Sequence, residues 1–152
     1  MATSTIQPYI PTSRDIESYW ENGYWISPKL LDDDRIARLR QEAERACAGE
    51  IDGEGAHFTG PFTPNVDPGA MKRIIDGWWV NNEVRDTVLD PQLGRIAAVL
   101  MKVDAVRLFA DQVLIKPGSD SGTPPKVSHV GWHQDAAYWH ISSNWTNMVT
   151  AW

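Results

Sequence analysis

Residues 129–140 read His129-Val-Gly-Trp-His-Gln-Asp-Ala-Ala-Tyr-Trp-His140, and the fold depends on how this stretch is read. Inside it, His133-Gln-Asp135 sets an imidazole and a carboxylate with one residue between them. On an extended backbone successive side chains alternate between faces, so positions 133 and 135 point the same way, about 6–7 Å apart along the chain. A nitrogen and an oxygen donor side by side supply two ligands of the 2-His-1-carboxylate facial triad. That triad holds Fe(II) and leaves positions open for a cosubstrate and oxygen. His-x-Asp also arises by chance, and the ordinary alternative is a surface histidine oriented by a neighbouring carboxylate.

Neighbouring blocks favour the metal reading. Arg107-Leu-Phe-Ala-Asp-Gln-Val-Leu-Ile-Lys-Pro-Gly118, Val130-Gly-Trp-His-Gln-Asp-Ala-Ala-Tyr-Trp139 and Met148-Val-Thr-Ala-Trp152 resemble the phytanoyl-CoA dioxygenase family. Tyr19-Trp-Glu-Asn-Gly-Tyr-Trp-Ile-Ser-Pro-Lys-Leu-Leu-Asp-Asp33 resembles that family's N-terminal part, less specifically. The resemblance implies an α+β chain built on a double-stranded β-helix, the jelly-roll or cupin-like oxygenase fold, with N-terminal helices packed on the sheet. It further implies Fe(II), 2-oxoglutarate as cosubstrate and O2, and hydroxylation of a small organic substrate. His133 and Asp135 would be the catalytic iron ligands, and Gln112 and Trp152 would line the cosubstrate pocket. Read without the resemblance, Gln112 is equally a satisfied polar group on a strand and Trp152 a core aromatic. The group that orients His133 through its other ring nitrogen is not named by the sequence.

A third iron ligand is harder to find. His129 shares parity with His133, but four strand residues set them roughly 13 Å apart, too far for one ion at about 2.1 Å. His140 reaches back only through a tight turn, and His57 sits in a Gly- and Pro-rich loop. In the family the distal histidine lies far downstream and is followed by an arginine, whose planar fork suits the far carboxylate of 2-oxoglutarate. The expectation is therefore that residues 13–152 are the N-terminal part of a single, longer dioxygenase domain, preceded by a flexible arm over 1–12. Two other readings stay open: a cupin-like metal-binding or isomerase domain that needs no 2-oxoglutarate, and a non-catalytic remnant.

Composition excludes several classes. With 42% hydrophobic and 22% charged residues over 152 positions, the chain is an ordinary globular sequence that can bury a core in one domain. A net charge of −6 and the lack of a basic stripe argue against nucleic acid as a partner. No apolar run approaches the roughly 20 residues of a membrane span, and the first residues lack a signal-peptide pattern. The single cysteine, Cys47, rules out an internal disulfide and suits a reducing cytoplasm. Of eight tryptophans, Trp132, Trp139 and Trp145 crowd the His-x-Asp pair, as pocket lining or as core.

Taken in order, Ser13 is expected to cap a helix through Asn22, stopped by Gly23. A brief strand over Tyr24–Ser27 follows. Asp32 or Asp33 caps a longer helix that buries Ile36, Leu39, Ala43 and Ala46 and ends at Gly49. Residues 49–70, with their glycines and prolines, form a long loop of the kind that often serves as a lid. Met71–Val80 is expected as strand and Asn82–Leu89 as helix; Lys72 and Arg73 either face an acidic cosubstrate or are solvated surface charge. Asp90-Pro91 starts a helix running to Leu100, with Leu93, Ile96, Ala97 and Leu100 inward. Val106–Lys116 reads as a strand, with Gln112, Leu114 and Lys116 on one face and Val113 and Ile115 on the other. After a turn-rich stretch, the His-x-Asp strand and a further strand over Thr146–Trp152 complete the chain.

Overall fold

The computed structural model describes residues 8–52, 71–116, 131–137, 139 and 147–152. Its main elements in order are α1 (Ser13–Asn22), α2 (Asp33–Cys47), β1 (Lys72–Ile75), α3 (Asn82–Val88), α4 (Pro91–Met101) and β2 (Gln112–Ile115). The chain divides into two compact units, residues 1–30, 90–107 and 130–152 in one and 31–89 and 108–129 in the other.

In the second unit β1 and β2 pair antiparallel, with Lys72 opposite Ile115 and Ile75 opposite Gln112. Ile74, Val113 and Ile115 form the inner face and pack with Ala46 and Cys47 of α2 and with Val80. Burial in this apolar setting pushes the Cys47 thiol above its usual range. The opposite face, with Arg73, Ile75, Gln112 and Leu114, is exposed. Helix α2 starts because the Asp32 carboxylate accepts from the Arg35 amide at 2.7 Å. The buried Asn81 does the same for α3, accepting from Val84 N at 3.0 Å while its amide nitrogen donates to Glu42 and Asp52.

Between β1 and α3, Gly77–Trp79 forms a short 3-10 turn entered through Asp76 at φ 55°. The Asp111 carboxylate accepts from Gly77 N and Trp78 N, both at 3.1 Å. Glycine at 77 allows this close approach: a Cβ there would lie 3.1 Å from Asp111 Oδ2 and from Val113 Cγ2, so those side chains would have to give by a few tenths of an ångström. Burial raises the Asp111 pKa against the opposing pull of those two amides.

In the first unit, Thr12 and Asp15 form a reciprocal capping box at the start of α1. Asp15 takes four donors in all, from Thr12 N, Thr12 Oγ1, Tyr9 OH and Trp25 Nε1. Tyr9 stacks on Trp25 at 5.7 Å between ring centroids. These bonds favour the ionised carboxylate and hold the Asp15 pKa well below the usual range. Gly23, left-handed at φ 78°, closes the helix. Asp90 caps α4 with Pro91 in its first turn, and Trp20 Nε1 donates to the Leu100 carbonyl at 2.8 Å. That bond satisfies one of the carbonyls a helix end leaves without an internal partner. Lys102, left-handed at the end of α4, lies over the Trp20 ring.

Several expectations are corrected. The α1 cap is Thr12, one residue earlier than Ser13, because its side chain has the carboxylate of Asp15 to answer it. Tyr24–Ser27 pairs with no strand among the described residues. Of the arm expected over 1–12, residues 1–7 lie outside the described residues, while Tyr9 is tied to Asp15 and Trp25 and Pro11 is buried. In α2, Ile36 is exposed and Cys47 takes an inward place instead. The strand expected over 106–116 shortens to Gln112–Ile115, although its two faces alternate as expected. Residues 147–152 and 131–137 adopt no strand, and Asp135–Ala137 form a short 3-10 turn. The described sheet thus has two strands in an α+β arrangement, and no described helix is long and apolar enough to cross a membrane. Most of the loop expected over 49–70 lies outside the described residues.

Candidate metal centre

The His-x-Asp pair converges by a different route from the one strand alternation suggests. Asp135 opens a short 3-10 turn, Asp135–Ala137. Ala137 N–H donates to the Gln134 carbonyl and Trp139 N–H to that of Asp135, each at 3.0 Å. Turn residues, not an alternating strand, carry the two side chains toward each other. His133 Nε2 lies 3.4 Å from Asp135 Oδ1. The other ring nitrogen, Nδ1, lies 2.8 Å from the Gly131 carbonyl oxygen. A carbonyl only accepts, so this contact is a hydrogen bond in the tautomer that carries its proton on Nδ1.

This geometry can be tested against a metal ion. Two donors at about 2.1 Å on adjacent octahedral positions are separated by about 3.0 Å. The observed 3.4 Å therefore needs a shift of only a few tenths of an ångström to chelate one ion, and imidazole with carboxylate is a suitable donor set for Fe(II). The two side chains are 38% and 42% exposed, so a simple ion pair between them would contribute little to stability. Among the described residues no group of three His, Cys, Asp or Glu side chains could hold a metal.

The phytanoyl-CoA dioxygenase (PhyH) family model matches residues 19–152, which takes in the end of α1, the β1–β2 pair and the His-x-Asp turn. The chain belongs to the phytanoyl-CoA dioxygenase family. No curated protein and no solved structure matches it. Members of this family are typically Fe(II)- and 2-oxoglutarate-dependent oxygenases with a cupin-like fold.

The remaining site candidates fall in different places. Gln112 lies on the exposed face of β2, and Trp152 is fully exposed. Lys72 is half-buried and Arg73 exposed on β1. His57, His129 and His140 lie outside the described residues. The Gly131 carbonyl, which holds the His133 ring, is a backbone group, and no residue type in the sequence announces it.

Proposed function

We propose that this chain belongs to an Fe(II)- and 2-oxoglutarate-dependent dioxygenase that hydroxylates a small organic substrate, with His133 and Asp135 as two of its iron ligands. The approach of His133 Nε2 to Asp135 Oδ1 at 3.4 Å, inside the family match, supports this reading. Bound Fe(II), with 2-oxoglutarate and O2, supplies the oxidising step that turns a C–H bond into C–OH while the cosubstrate becomes succinate and CO2.

The chain's own contribution is to hold and orient. The His133 imidazole offers a neutral nitrogen donor and the Asp135 carboxylate an anionic oxygen, so the pair offsets one of the two positive charges of Fe(II). A third protein ligand completes the set. On this reading Gln112 and Trp152 line the 2-oxoglutarate pocket. The full fold on this reading is a double-stranded β-helix.

The test follows succinate formation from 2-oxoglutarate in the protein with Fe(II), O2 and a panel of small organic acceptors. Succinate stoichiometric with a hydroxylated product supports the proposal. Metal-dependent turnover that leaves 2-oxoglutarate intact would refute it. Gln112→Ala should raise KM for 2-oxoglutarate with little change in kcat, and an unchanged KM removes Gln112 from the cosubstrate site.

A further inference from the structure

We propose that the Gly131 carbonyl locks His133 as the Nδ1–H tautomer and so presents Nε2, beside Asp135 Oδ1, as a preformed two-donor edge for the metal. The inference rests on the reading of His133 and Asp135 as iron ligands and adds the positioning group that the reading lacks. Nδ1 lies 2.8 Å from the Gly131 carbonyl, a normal hydrogen-bond length, and Nε2 lies 3.4 Å from Asp135 Oδ1. In water a neutral imidazole prefers its proton on Nε2, which would turn an N–H and not a lone pair toward the metal position. A bond from Nδ1 to a carbonyl reverses that preference, fixes the ring's rotation and raises the basicity of the opposite nitrogen.

The backbone makes this hold local. Donor and acceptor are two residues apart, so the carbonyl and the ring move together as one short segment. Gly131 is exposed, its φ lies outside the left-handed region, and a Cβ on it would meet nothing within 4 Å. The carbonyl can therefore be altered separately from the side-chain space around it.

The experiment labels the protein with 15N-histidine and records ring nitrogen shifts of the metal-free chain near pH 8, assigning His133 by its loss in His133→Ala. The expected spectrum shows a protonated Nδ1 and an unprotonated Nε2. A protonated Nε2, or fast averaging between tautomers, would overturn the proposal. In a second arm the 131–132 amide becomes an ester, by placing the α-hydroxy analogue of tryptophan at 132, which weakens the Gly131 carbonyl as an acceptor. The Nε2 shift should move toward the protonated value and Co(II) affinity should fall roughly tenfold, the lower end of what a lost orienting partner costs. Gly131→Ala keeps the carbonyl and should leave both readouts unchanged. If it perturbs them as much as the ester does, backbone shape and not the carbonyl bond is responsible, and the proposal fails. Absence of Co(II) binding in the unmodified protein would instead refute the iron-ligand reading, while the metal-free spectrum still decides the tautomer.

Discussion

Asp15 and Asp135 each sit at the start of a helical turn, and their surroundings differ. Asp15 accepts from four donors spread over Tyr9, Thr12 and Trp25. Asp135, among the described residues, meets an imidazole nitrogen at 3.4 Å and is 42% exposed. The first is saturated with hydrogen-bond donors and stabilises a helix end. The second has an oxygen beside another atom of metal-ligand type, an arrangement that contributes little to folding and suits binding. Donor count separates a structural carboxylate from a candidate ligand more clearly than position in a turn does.

The largest test of this contrast is at the candidate ligands. His133→Ala or Asp135→Ala should abolish iron binding and turnover, measured by metal titration and succinate formation. Because both side chains are exposed, unfolding in urea should change by no more than about 0.5 kcal/mol. A large loss of stability would place the pair among the structural groups. The reverse pattern is expected in the buried inner face of the sheet. Ile74 is 3% exposed, and Ile74→Ala should cost roughly 2–4 kcal/mol in the same urea experiment without removing any metal ligand.

A smaller effect is expected for Asp15→Ala, which should lower the melting temperature of the protein while metal affinity stays at the wild-type value. The pH dependence sharpens the point further. The Asp15 pKa is lowered in the folded state, so its contribution is present above the ordinary carboxylate value of 3.8 and is lost as pH falls below it. The stability gap between wild type and Asp15→Asn should therefore shrink on acidification through and below that value, as followed by circular dichroism. Asp111 has the opposite sign. Its raised pKa gives a contribution present below 3.8 and lost as pH rises through the raised value. Asp111→Asn should flatten that part of the profile.

What was legible in the sequence follows the range of the interactions involved. The ends of α1, α3 and α4 lay within a residue or two of expectation because caps such as Asp90-Pro91 and Gly23 act on their own neighbours. The two faces of β2 were readable from alternation alone. Asp111 reaching back to Gly77, or Trp20 to Leu100, joins residues far apart in the chain, and no local pattern encodes them. The strands expected over Tyr24–Ser27 and 146–152 had suitable residue types, but a strand is defined by a lateral partner, which composition does not supply. At the candidate centre, residue types and spacing were readable, whereas the turn that joins them and the carbonyl that grips the ring were not. Backbone carbonyls are common to every residue, so sequence carries no trace of which one is used.

The ties at Asp15 also bear on how α1 comes apart. Tyr9 precedes this helix and Trp25 follows it, yet both bond to the same carboxylate and stack on each other. Residues 9–25 thus form a loop stitched shut across its own mouth, and α1 has no loose end from which to unravel one residue at a time. Its amides should exchange with solvent together, in step with the opening of the Tyr9–Trp25 clasp, and the Trp25 indole proton is a ready reporter of that event.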